Sequence, residues 1–140
     1  MRSISKGAEG AAVHRGGCLC GAVRYEVTGP LRPVAFCHCE QCRRQTGLYY
    51  AATSAMLADL KVVGEDLVTW FAASDEAERG FCSRCGSALF WQRNGAARRS
   101  ILAGSLDLAG GLVANRHIFV GGRPEWYEIA DGLPQHPRSD

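Results

Sequence analysis

The chain has 140 residues, the size of one ordinary domain. Hydrophobic residues make up 46% and charged residues 21%, which excludes wholesale disorder, and no apolar run approaches the ~18 residues of a membrane span. Sixteen Lys and Arg against fourteen Asp and Glu leave a formal +2, and no basic block exceeds two residues, so charge points to no nucleic-acid partner.

Residues 1–16, rich in Gly, Ala and Ser, read as a flexible leader without the apolar stretch of a secretory signal. Val23, Tyr25 and Val27 alternate with Arg24 and Glu26, predicting a half-buried strand over 22–28 that Gly29-Pro30 ends. A short strand over 34–36 leads into a cysteine-rich segment. Residues 40–44 then read as a turn or one helical turn. Further strands are predicted over 48–53, 60–63 and 67–72, with Gly64-Glu65-Asp66 turning a hairpin between the last two. A loop over 73–78 leads through Arg79-Gly80-Phe81 into a C-x2-C turn, and 87–92 leaves it as a strand. Asn94-Gly95 marks a looser turn, and strands over 101–103 and 117–120 follow. Residues 124–127 form an aromatic corner. Seventeen glycines in 140 residues, about 12% against an average near ~7%, and no sustained 3.6-residue period favour a mainly β domain over 17–135 with a tail at 136–140. Phe36, Trp70, Phe81, Phe90, Trp91 and Trp126 are expected in the core, shielding thiolates, rather than as a stacking platform for bases.

The seven cysteines carry the chemistry. They fall as C-x-C at Cys18 and Cys20, C-x-C-x2-C at Cys37, Cys39 and Cys42, and C-x2-C at Cys82 and Cys85. An odd count without a secretory signal argues against an extracellular disulfide framework and for a reducing, cytoplasmic compartment. Thiolates this close converge readily on one soft metal, and zinc suits them. Gly16, Gly17 and Gly21 bracket Cys18-Leu19-Cys20 and Gly86 follows Cys85, glycines that supply without steric cost the positive φ that turns around such sulfurs often need.

Seven sulfurs divide naturally into four and three. Cys18, Cys20, Cys82 and Cys85 would close a four-thiolate structural site that pins an early hairpin to a late one. Cys37, Cys39 and Cys42 would occupy one face of a tetrahedron and leave a fourth position open, as a reactive or substrate-binding metal requires. Spacing leaves alternatives open: a C-x-C pair can take another partner, and His14, His117 or His136 would close the trio with no chemistry. His38, between two ligating cysteines, is a poorer ligand. His38 or Glu40 could relay a proton, His38 could equally brace the loop by donating to a backbone carbonyl, and neither is assigned a catalytic role. Three anionic donors blunt the Lewis acidity of zinc, so hydrolysis by a zinc hydroxide is disfavoured and activation of a soft thiol favoured. Arg43 and Arg44 follow the trio and are candidates to hold a substrate carboxylate.

The stretches Gly17-Cys18-Leu19-Cys20-Gly21, Cys37-His38-Cys39-Glu40-Gln41-Cys42-Arg43 and Phe81-Cys82-Ser83-Arg84-Cys85-Gly86 carry a family resemblance. Later blocks at Gly104-Ser105-Leu106-Asp107, His117-Ile118-Phe119-Val120 and Trp126-Tyr127-Glu128-Ile129-Ala130-Asp131-Gly132-Leu133-Pro134 extend it. Together they resemble the glutathione-dependent formaldehyde-activating enzyme family, which also contains centromere protein V. The resemblance implies an Mss4-like β-tent of short antiparallel strands stapled by two zinc ions. Its structural ion would sit on Cys18, Cys20, Cys82 and Cys85, and its active-site ion on Cys37, Cys39 and Cys42. It further implies a carbon–sulfur lyase read in reverse, joining glutathione or a similar thiol to formaldehyde or another small electrophile. No nucleic-acid or membrane partner is expected. The contrasting expectation is a non-catalytic, zinc-stabilised binding module on the same fold.

Overall fold

A computed structural model describes residues 12–107 and 110–139. Ten strands and one short helix α1 (Glu40–Thr46) make up the described chain, with single 3₁₀ turns between several of them. The three-stranded sheet runs β1 (Val13–Gly17), β2 (Arg24–Thr28), β5 (Leu60–Val63). The seven-stranded sheet has the order β10 (Ala114–Ile118), β3 (Val34–Cys37), β4 (Tyr50–Met56), β9 (Arg98–Leu102), β8 (Ala88–Arg93), β7 (Ala77–Cys82), β6 (Val68–Phe71). The fold is mainly β, as the glycine content and short apolar runs imply. Its strands are antiparallel except at β10 and β3, which run parallel, His117 lying beside Phe36 and Ile118 beside Cys37.

Three expectations need correction. Val13–Gly17 is not leader: it pairs along its length with β2, because the alternation that buries Tyr25 and Val27 leaves β2 an edge to be covered. Residues 1–11 lie outside the described residues. Gly64 does not turn a β5–β6 hairpin either. With φ at 84° it sits so close to the Ala22 carbonyl that a Cβ would come within 2.3 Å of that oxygen, and a 3₁₀ turn then carries the chain to the other sheet. β5 therefore pairs with β2 while β6 pairs with β7. Trp126, finally, is 71% exposed, whereas Phe90 is fully buried. At the other end, residues at 135–138 are tied by backbone hydrogen bonds to His117, Phe119 and Val120.

One apolar cluster joins the two sheets: Val23, Tyr25 and Val27 from the small sheet side meet Ala55, Val68, Leu89, Phe90 and Ile101 from the large one. Tyr25 meets Phe90 edge-on, their ring centroids 5.7 Å apart. Helix α1 lies against the opposite face of the large sheet, over β4 and β7, and leaves a cavity on that face. Residues two apart on a strand share a face, so β7 presents Gly80 and Cys82 to the core and Ala77 and Arg79 to the other side. That alternation places the two cysteine groups on opposite faces of one sheet.

Candidate functional site

The four-cysteine group is built by two local turns. After β1, Gly21 at φ 82° lets its N–H donate to the Cys18 carbonyl, and the Val23 N–H reaches Cys18 Sγ at 3.3 Å. At the end of β7, Gly86 at φ 79° donates its N–H to the Cys82 carbonyl, and the Arg84 N–H reaches Cys82 Sγ at 3.3 Å. Ser87 ties the turns together. Its Oγ accepts from the Leu19 N–H at 3.0 Å and lies 3.2 Å from Cys85 Sγ, a contact that brings the Cys85 thiol down to about 5.

All four sulfurs lie within 4.8 Å of one another, with Cys18–Cys20 at 3.6 Å and Cys20–Cys82 at 3.8 Å. A tetrahedron of sulfurs about 2.3 Å from zinc has edges of about 3.8 Å, whereas a disulfide would bring its sulfurs to about 2.05 Å. Donor type and spacing therefore fit a tetrahedral metal ion, and Cys18 and Cys82 are buried in the core beside it.

The trio forms where β3 passes into α1. Cys37 ends β3, and Cys39 caps the helix, its Sγ accepting from the Cys42 N–H at 3.4 Å. Cys42 lies in the first helical turn, and the three sulfurs are again within 4.8 Å of one another. Hydrogen bonds from Cys37 and Cys42 bring the Cys39 thiol down, and the Cys39 bond pushes Cys37 up. Among the described residues no histidine or carboxylate joins these sulfurs. His14 lies on β1 in the small sheet, and His136 pairs through its backbone with His117.

His38 and His117 have a different role from ligation. His117 Nε2 donates to Asp131 Oδ2 at 2.9 Å, which leaves His117 Nδ1 to accept from His38 Nε2 at 2.8 Å; the hydrogen-bond network assigns these tautomers. Both rings are buried, and Phe36, Tyr49 and Tyr127 pack around them. Burial, with His117 and Arg123 nearby, brings the His38 imidazole down to about 4. The Leu133 N–H and His117 hold the Asp131 carboxyl below its ordinary value.

The trio opens on a cavity of about 620 Å³, whose wall also includes Tyr50, Arg79, Trp91 and Arg93. Arg79 is 6% exposed. Gln41 and Gln45, one helical turn apart on α1, both aim Oε1 at it. Nη1 donates to Gln45 at 2.9 Å, while Nη2 donates to Gln41 at 3.3 Å and to Cys42 Sγ at 3.5 Å. Its guanidinium lies 5.8 Å over the Tyr50 ring. The buried Tyr50 hydroxyl has no hydrogen-bond partner among the described residues, and burial raises its pKa well above the ordinary phenol value, keeping it protonated. Arg43 and Arg44 stand on the same helix outside this wall, Arg44 paired with Glu40 across one exposed turn at 2.9 Å.

Arg79, Tyr50 and Asp131 were not singled out by the sequence reading. Arg79 stands three residues before Cys82, but nothing local marks which face of its strand it takes. Tyr50 and Asp131 carry no spacing signal, since their neighbours in space come from other strands.

A mainly β domain with one four-cysteine cluster at the edge of the core and one three-cysteine cluster facing a cavity is the class that this fold and site define. The glutathione-dependent formaldehyde-activating enzyme family matches residues 13–122, and the chain belongs to that family. It is 34% identical to a Halomonas elongata protein named as a glutathione-dependent formaldehyde-activating enzyme, over 81% of this chain and 79% of that one. It is 27% identical to a Schizosaccharomyces pombe protein named as a lyase, over 84% of this chain and 86% of that one. A crystal structure of a Rhodobacter sphaeroides protein shares the fold with a TM-score of 0.58 and 26% identity, covering 86% of this chain and 98% of that one.

Proposed function

We propose that the protein is a zinc-dependent, carbon–sulfur-lyase-like enzyme that adds glutathione or a similar thiol to formaldehyde or another small electrophile. The observation that carries the reading is the asymmetry of the two clusters. Cys18, Cys20, Cys82 and Cys85 bring four sulfurs together, with Cys18, Cys82 and Cys85 packed in or against the core and Cys20 exposed, whereas only three sulfurs, Cys37, Cys39 and Cys42, come together, and they line a cavity. The first set would hold a structural ion and the second the active one, two per chain. A zinc ion on the trio would supply a position at which a thiol gives up its proton and is held as a nucleophile.

The chain's own residues provide the rest. The cavity admits a molecule of tripeptide size and brings its sulfur beside the trio. Arg79 places positive charge next to Cys42, offsetting the negative charge that three thiolates bring. The Asp131–His117–His38 line holds the loop that carries Cys37 and Cys39. In the addition, a sulfur lone pair forms the carbon–sulfur bond while the carbonyl π pair moves to oxygen. That oxygen takes up one proton, equal to the one the thiol released, so no oxidant or reductant is needed.

Glutathione titrated into the cobalt-substituted protein tests this, with the thiolate-to-metal charge-transfer band as the signal. A saturable change in the band is the expected result. With both sites loaded, a band indifferent to millimolar glutathione would remove the thiol from the metal and leave a non-catalytic, metal-stabilised binding module.

A further inference from the structure

Arg79 is a buried cation with no carboxylate partner among the described residues. Burying an arginine without a counter-charge is strongly unfavourable, and the two neutral glutamine oxygens that hold it do not supply one. The group within reach that carries negative charge is the sulfur trio, through Cys42 at 3.5 Å. Its Nε is also buried without a partner among the described residues, so these do not saturate the guanidinium. Helix α1 aims it: Gln41 and Gln45 fork the two terminal nitrogens, and the Tyr50 ring supports the plane from the sheet side.

We infer that Arg79 makes the cavity side of the trio selective for an anionic sulfur ligand over a neutral donor. The inference rests on reading the trio as a metal centre that takes a thiol. Three thiolates around a dication carry one net negative charge, which the guanidinium neutralises. A neutral ligand entering there changes no charge. A thiol entering as thiolate, its proton released to solvent, adds a second negative charge to the cluster, so the cluster and guanidinium together carry one net negative charge where the cluster without Arg79 would carry two. A lysine at this position keeps the charge but loses the glutamine fork, whereas an uncharged side chain loses both.

Binding to the cobalt-substituted protein separates this role from packing. Glutathione serves as the anionic probe and imidazole as the neutral one, in wild type and in R79Q, R79M and R79K. Two uncharged variants are used so that failure of one to fold leaves the other. R79Q and R79M are expected to weaken glutathione about tenfold to hundredfold while imidazole shifts by less than about twofold. R79K is expected to restore most of the loss. Equal weakening of both probes, or glutathione affinity unchanged in the uncharged variants, overturns the role of Arg79 and leaves the thiol reading standing. A wild-type protein that takes imidazole but not glutathione overturns both.

Discussion

His38 and His117 are 79 positions apart in the chain, yet their imidazoles share a 2.8 Å hydrogen bond inside an aromatic enclosure. The bond joins the loop between two metal-ligand candidates to β10, and Asp131 holds the far end from the C-terminal segment. A ligand loop braced in this way has its sulfurs placed before any ion arrives.

Asp131→Ala removes the acceptor that orients His117. Partners hydrogen-bonded directly to a metal ligand typically cost 10–100-fold in metal affinity when lost, and Asp131, which acts through two histidines that are not ligands, is expected at the low end of that range. The trio is expected to lose about tenfold in zinc affinity, measured by chelator competition, while the four-cysteine site keeps its ion. Asp131→Asn, which keeps an acceptor oxygen, is expected to retain most of that affinity.

His38 titrates at about 4 in the folded protein and near ~6.5 when unfolded. The folded state thus resists protonation, and its stability is complete above about 6.5 and falls as pH drops toward 4. Between pH 7.5 and 5 this amounts to about 2 kcal/mol. Urea unfolding at the two pH values should show that difference in the wild type, and His38→Gln should reduce the gap.

Tyr50→Phe removes a buried hydroxyl that has no partner among the described residues and keeps the ring that packs under Arg79. An unsatisfied buried polar group costs ~1–3 kcal/mol. The variant is therefore expected to be more stable by about 1 kcal/mol in urea unfolding. A less stable variant would show that the hydroxyl has a partner in solution.

Gly122→Ala drives a methyl to 2.6 Å from the His38 carbonyl oxygen and 3.2 Å from Cys39 Cα, both backbone atoms of the trio loop. At Gly47 a methyl meets nothing within 4 Å, although φ at 95° makes alanine strained there. Both variants are expected to lose about 1–3 kcal/mol. Only Gly122→Ala should also shift the visible spectrum of cobalt on the trio.

Cys82→Ser breaks a site whose metal would contribute on the order of ten kcal/mol to folding. It is expected to leave the chain unfolded by circular dichroism, whereas Cys39→Ser should remain folded and lose thiol binding. Equal unfolding of both would remove the division of roles between the clusters.

What the sequence by itself determined is local. A cysteine turn is closed by amides within five residues of its own sulfur, as at Val23 and Cys18, so spacing and one glycine suffice to read it. Period-two alternation likewise revealed β2, and the cysteine spacings already suggested the division into four and three. What only the tertiary structure decided depends on which strands become neighbours. Gly64 joins two sheets rather than two strands of one hairpin because the Ala22 carbonyl lies against it. Arg79 matters because β7 turns that one residue toward Gln41, Gln45 and Cys42 on α1. His38 is a brace rather than a ligand because a parallel strand brings His117 beside it, with Asp131 beyond. Such contacts join positions far apart in the chain, and no local spacing encodes them.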